Sequence, residues 1–211
     1  EDCPPATNIT TCPYLRNNFF SFLICSPPND ILSVISQLPK WEHQLLEHTK
    51  LESSHELIHQ ALSQPHPVYL VSDGGARPHL ERGSFGWIIA TSEDVLATGG
   101  GPVSGHPIHS FRCEAVGRLS AFLFLHHYLK AHPVPPVAPL HTYLDNVSVI
   151  HTERKFTGFA DLFPSLGSLG DADVFLALRR LHLDLPWHSI QTQHVKGHQD
   201  KHTPFAQLSI P

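Results

Sequence analysis

Three acidic residues sit where the chain pattern changes. Asp73 follows the apolar run Val68-Tyr69-Leu70-Val71 and precedes Gly74-Gly75, Asp145 follows His141-Thr142-Tyr143-Leu144, and Glu114 lies near the start of a long periodic segment. Carboxylates are hard oxygen donors, and Mg²⁺ takes one or two of them together with waters and phosphate oxygens. Two such ions held roughly 4 Å apart can activate water and stabilise the charge of an in-line displacement at phosphorus. That chemistry needs acids rather than a nucleophilic side chain. Taken singly, each acid has a plainer reading: Asp73 as a turn residue, Asp145 as a helix cap, Glu114 as a solvated helix position.

The elements that must position these acids can be read from periodicity and from the prolines that punctuate the chain. Asp30 to Leu38 and Trp41 to Leu62 read as helices, with Leu45, Leu46, Leu51, Leu57, Ile58 and Leu62 recurring at helical intervals. Pro65 to Pro67 then marks a boundary. Val68 to Val71 reads as a buried strand delivering Asp73 into a glycine turn, and Phe85 to Thr91 and Asp94 to Gly99 as the next two strands of an antiparallel meander. His109 to Ala131 is free of proline and has a helical apolar pattern. After the proline-rich loop, His141 to Asp145 reads as a strand, Asn146 to Glu153 as a short helix, Asp171 to Leu183 as a helix with an acidic start, and Ile190 to Val195 as a last strand. The order predicts an α/β domain, a mixed sheet with helices packed on it, over residues 65–211, preceded by an N-terminal helical extension or linker over residues 1–64.

Composition sets the outer limits. With 211 residues and 41% apolar content, the chain suits one domain of ordinary size plus an extension. No run approaches the roughly 18–20 apolar residues that cross a bilayer, so no membrane partner is expected. The net charge of −5 argues against binding driven by a basic surface, although carboxylates neutralised by bound cations weaken that argument. Cys3, Cys12, Cys25 and Cys113 lack zinc-like spacing and suit free thiols in a reducing, intracellular setting, cytoplasm and nucleus not distinguished. The eighteen histidines include His126-His127 and the pair His194 and His198, but no third ligand at zinc spacing accompanies them. Asn8-Ile9-Thr10 and Asn146-Val147-Ser148 fit a glycosylation pattern too short to carry weight.

Taken jointly, the motifs resemble the ribonuclease H domains attached to retroelement reverse transcriptases. Ser72-Asp73-Gly74-Gly75 resembles the first-strand motif, Gly83-Ser84-Phe85-Gly86-Trp87 the start of the second strand, and Ser110-Phe111-Arg112-Cys113-Glu114-Ala115 the entry to the first helix. Leu144-Asp145-Asn146 is similar to the fourth-strand motif, and His194-Val195-Lys196-Gly197-His198-Gln199-Asp200 to the turn that follows the last strand. The resemblance covers about two thirds of the chain, with the motifs in order. It implies a five-stranded mixed sheet ordered 3-2-1-4-5, a site for two Mg²⁺ ions with Mn²⁺ as an alternative, and hydrolysis of the RNA strand of an RNA–DNA hybrid. By the same carry-over Asp73, Glu114 and Asp145 are metal ligands, and His198 assists proton transfer or product release. Gly74, Ser110, Arg112, Asn146 and Lys196 are expected to contact substrate. A reverse transcriptase region in a parent chain is an implied partner.

The family's fourth acid lies on a last helix beyond the histidine turn, and this sequence ends at Pro211 without such a segment, so a C-terminally truncated domain is expected. Asp200 is the one acid after His198, but its place matches the turn rather than the ligand. Two alternatives therefore stand beside the nuclease: a non-catalytic remnant that grips nucleic acid, and a polynucleotidyl transferase related to integrases and transposases. Glu114 on the first helix favours ribonuclease H, because those relatives place their glutamate late in the chain. Arg154-Lys155 and Arg179-Arg180 are further candidates for phosphate contact.

Overall fold

In the computed structural model, residues 30–158, 170–187 and 190–197 are described. The chain runs α1 (Ile31–Ser36), α2 (Lys40–Leu46), β1 (Lys50–Leu51), α3 (His55–Ser63), β2 (Val68–Arg77), a 3₁₀ turn at Pro78–Leu80, β3 (Arg82–Ala90), β4 (Val95–Pro102), α4 (Ser110–Ala131), β5 (Leu140–Leu144), α5 (Val147–Thr157), α6 (Ala172–Asp184) and β6 (Ile190–His194). The six strands form one sheet in the order β1-β4-β3-β2-β5-β6. The β2-β3-β4 meander is antiparallel, whereas β2-β5 and β5-β6 are parallel. Leaving β1 aside, this is the predicted α/β mixed sheet with its order 3-2-1-4-5.

The extra edge strand comes from the segment read as continuous helix. Trp41 to Leu62 is in fact α2, β1 and α3, because Lys50 and Leu51 pair with Thr98 and Ala97 and the Glu52 and Ser53 amides donate to the Leu96 carbonyl. Ser54 then caps α3, its hydroxyl accepting from the Leu57 amide at 3.3 Å. The leucine spacing reflects two short amphipathic helices whose apolar residues meet a common core. Ile31, Ile35, Leu46, Ile58 and Leu62 are buried in the same cluster as the sheet and α4.

α4 is the central element. Every residue from Arg112 to Leu125 is buried, as expected of a helix covered on all sides. It lies on β2 and β3 and is covered by α1, α2, α5 and α6. Trp87 Nε1 donates to Ser120 Oγ (2.8 Å), and that hydroxyl donates to the Leu45 carbonyl (2.7 Å), so β3, α4 and α2 share one polar tie. His127 and Glu42 form a second tie between α4 and α2 at 2.6 Å.

A buried ionic strut joins α4 to the parallel half of the sheet. Arg118 is fully buried and pairs with Glu153 of α5 at 2.6 Å, donates to Thr192 Oγ1 of β6 at 2.8 Å, and stacks over Phe122. His182 of α6 holds the other Glu153 oxygen. Burial opposes ionisation of Glu153, but Arg118 and His182 outweigh it and hold the carboxyl below its usual range.

Among the described residues, no helix is long and apolar enough to cross a membrane.

Candidate metal centre and active site

The parallel pairing of β2 with β5 places two of the acids. It runs from Val68↔Leu140 to Val71↔Tyr143, and continuing that register brings Asp145, just past the end of β5, level with Asp73. β2 itself does not turn at the glycines. It continues to Arg77 beside β3 alone, leaving a notch beyond the end of β5. Asp73 is exposed on this stretch.

Gly74 is demanded by the third acid. A Cβ there would lie 2.3 Å from the Cys113 carbonyl carbon and 2.4 Å from the Glu114 amide nitrogen, so the first turn of α4 presses directly on the β2 backbone. Gly117, one turn further, faces the Asp73 carbonyl, where a Cβ would sit at 3.1 Å. The expected glycine turn is therefore a site of close helix approach within a strand, and the chain reverses at Pro78–Leu80 instead.

This packing carries Glu114 into the notch. Asp73, Glu114 and Asp145 each offer an oxygen, and these atoms all lie within 4.8 Å of one another. Glu114 is 4% exposed, and its Oε1 accepts from Ser110 Oγ (3.3 Å) and Asn146 Nδ2 (3.2 Å). Asn146 also caps α5, its Oδ1 accepting from the Ser148 and Val149 amides. Asp73 Oδ1 accepts from the Gly74 amide at 2.7 Å. Behind Asp145, His194 Nε2 donates to its carbonyl (3.0 Å), and Gly197 passes so close to its carboxylate that a Cβ would collide with Oδ2.

Two oxygens in this group, Glu114 Oε2 and Asp145 Oδ1, are buried without a hydrogen-bond partner. Burial, then Asp145 and Asp73, push the Glu114 carboxyl up to about 8, while the Asn146 amide pulls the other way. Unsatisfied buried carboxylate oxygens and mutual repulsion are what a divalent cation would relieve, so the donor set fits a hard cation.

Ser110 and Asn146 are both bonded to Glu114 and orient it. Arg112 is engaged elsewhere in the fold. It is buried, and its guanidinium pairs with Asp173 (2.8 Å) and Asp171 (2.7 Å), which raise its pKa further, and donates to the Ser104 carbonyl. His109, the N-cap of α4, also reaches Asp171, at 3.3 Å. The signal for this clamp was the acidic start of α6, read only as a favourable helix end. Lys196 follows β6 within the described residues, whereas His198 and Asp200 lie outside them. Cys113 is buried with its thiol pushed up by burial, which makes it a packing residue rather than a nucleophile.

No protein-family model matches the chain, and no curated protein matches it. Solved structures do. LC11-RNase H1 in complex with RNA/DNA hybrid aligns at 12% identity over 63% of this chain and 87% of its own, with a TM-score of 0.46. RNase H1 from the halophilic archaeon Halobacterium salinarum aligns at 15% identity over 65% and 91%, with a TM-score of 0.43. The prototype foamy virus protease-reverse transcriptase aligns at 19% identity over 69% of this chain but 19% of that much longer one, with a TM-score of 0.45.

Proposed function

We propose that this chain is a metal-dependent endonuclease of the ribonuclease H type, which hydrolyses the RNA strand of RNA–DNA hybrids. One observation carries the reading: Asp73, Glu114 and Asp145 converge in the notch beyond the carboxyl end of β5, beside the middle of β2, with two buried oxygens lacking partners. The motif order described above supports the choice of substrate. A divalent cation, Mg²⁺ or Mn²⁺, would be held by these three acids and supplies Lewis acidity at the attacked phosphoryl group.

The residues of the chain do the positioning. Ser110 and Asn146 fix Glu114 through Oε1 and leave Oε2 without a hydrogen-bond partner. His194 anchors the Asp145 backbone. Asp73, the exposed acid, is the one that an entering nucleic-acid backbone would meet first. Such a site reads shape and 2′-hydroxyls rather than sequence.

The test is Mg²⁺- and Mn²⁺-dependent cleavage of an end-labelled RNA–DNA hybrid. Asp73→Asn and Glu114→Gln should each lower it at least ~100-fold, since even groups outside the ligand set are worth 10–100-fold in metal sites. Unchanged cleavage in both variants would overturn the assignment. A second reading, hybrid binding without turnover, is favoured by the absence of a fourth acid from the cluster among the described residues. Hybrid retention with no cleavage in either metal would select it.

A further inference from the structure

Beyond Asp73 the β2–β3 ribbon carries a feature that the acid site does not use. Side chains at alternate positions of a strand share a face, and the exposure pattern of β2 and β3 follows that rule through to the hairpin end. Asp73, Gly75 and Arg77 therefore line one face of β2, and Arg82, Ser84 and Gly86 line the same face of β3 through the pairs Asp73↔Gly86, Gly75↔Ser84 and Arg77↔Arg82. The floor between Asp73 and the arginines is Gly75 and Ser84, and a Cβ placed on Gly75 would meet nothing within 4 Å. The result is an open trough bordered by Gly75, Ala76, Arg77, Arg82, Gly83 and Ser84.

The arginine pair is anomalous on stability grounds. Like charges directly opposite across an antiparallel pair are destabilising, and this chain carries a net charge of −5. The other described arginines have oxygen partners: Arg112 with Asp171 and Asp173, Arg118 with Glu153, Arg154 with the Thr192 carbonyl, Arg179 with the Phe156 carbonyl and Arg180 with Asp184. Arg77 and Arg82 have no hydrogen bond or ion pair among the described residues, and Glu81 in the connection between them makes neither with either one. Two arginines set opposite each other across the ribbon without an anion each offer a donor fork that matches phosphate.

We infer that Arg77 and Arg82 form a phosphate clamp for a nucleic-acid backbone lying in the trough, downstream of the strand phosphate at Asp73. Arg77 is four residues beyond Asp73, roughly 13 Å at about 3.3 Å per residue. The clamp therefore holds a different phosphate from the one at the acid site. Gly75 keeps the floor low enough for a sugar-phosphate backbone to approach. The inference rests on the nuclease reading for the identity of the ligand.

The experiment is fluorescence anisotropy of a labelled RNA–DNA hybrid with the full chain in EDTA, titrated at 50 to 200 mM salt. Each lost phosphate contact lowers the salt slope by ~0.9, so Arg77→Ala/Arg82→Ala should remove about twelvefold of the salt-dependent loss of affinity across that fourfold range. The double Lys variant should retain the slope, and Lys40→Ala/Lys130→Ala, an equal charge change at exposed positions elsewhere, should leave it unaltered. Gly75→Val should weaken binding without lowering Tm. Hybrid binding with an unchanged slope in the double Ala variant overturns the clamp alone. No hybrid binding by the parent overturns both the clamp and the nuclease reading, whereas clamp-dependent binding with no cleavage in Mg²⁺ or Mn²⁺ sustains the clamp and removes only the turnover.

Discussion

Glu114, at residue scale, is a buried acid whose place beside two other acids acts against stability. Its folded-state pKa is raised, to about 8, so the fold favours the protonated carboxyl. Stability from this group is complete below its unfolded value near 4.5 and is lost as pH rises towards 8. In the absence of divalent metal, Glu114→Gln should therefore raise Tm at pH 8 by a few degrees, at roughly 2–4 °C per kcal/mol for a chain of this size. On the proposed metal reading, Mg²⁺ or Mn²⁺ should raise the parent's Tm and the same variant should lose most of that increase, since a ligand stabilises only in proportion to its binding. Thermal scans at pH 5 and 8, with metal and with chelator, check both signs. A fall in the metal-free Tm of the variant at pH 8 would contradict the account. Ser110→Ala and Asn146→Ala remove partners of Glu114 rather than ligands, and should lower metal affinity or cleavage by about 10–100-fold. Isothermal titration of metal beside the cleavage assay separates the two effects.

At the scale of elements, the contacts that matter join α4 to its neighbours. Arg118 and Glu153 tie α4 to α5, the helix that begins directly after Asp145. Removing one partner leaves the other charge buried, and such single breaks cost about 3–5 kcal/mol. Glu153→Leu should thus be strongly destabilised, while Arg118→Met/Glu153→Leu, which fills the space without charge, should recover most of the loss. Urea unfolding measures this; equal stability of the single and double variants would show that the pair is not coupled. Glu153 is held ionised below its usual range, so its contribution is present above pH ~4.5 and lost as pH falls through its lower folded pKa. The double variant should accordingly show a flatter stability profile on the acid side. The approach of α4 to β2 is equally demanding. Gly74→Ala places a Cβ on the backbone of Cys113 and Glu114, and should displace Glu114, with loss of cleavage greater than the accompanying drop in Tm implies.

For the whole molecule, the segment before Val68 is part of the packed structure over its described residues. α1 and α2 lie on α4, β1 extends the sheet beside β4, and the Val137 and Ala138 amides donate to the Leu62 carbonyl. Deleting residues 30–64 would expose the faces of α4 and β4 that Ile31, Ile35, Leu46, Ile58 and Leu62 now cover. At about 1.5–3 kcal/mol for each fully buried large apolar side chain, that loss is comparable to the whole stability of an ordinary domain. A chain starting at residue 65 is expected to be insoluble or to bind hydrophobic dyes, and a Tm equal to that of the full chain would refute this.

Much of the catalytic reading was legible without coordinates. Short apolar runs ending in Asp73 and Asp145, and the proline-free segment carrying Glu114, specify strands and a helix by periodicity, which is a local property of the chain. The placement of β1 was not legible, because two residues carry no periodicity and Lys50 and Leu51 become a strand only when β4 lies beside them. The partners that Asn146 and Arg112 take within the fold were not legible either, because Glu114, Asp171 and Asp173 lie 32 to 61 residues away in sequence. Gly74 looked like a turn because a glycine's sequence context does not distinguish a positive φ from a close neighbour. Only the register of β2 and β3 sets Arg77 and Arg82 opposite each other. Residue types and local pattern thus determined which groups can do chemistry and which elements carry them. Which groups meet was decided by packing and strand register, since both depend on contacts between residues far apart along the chain.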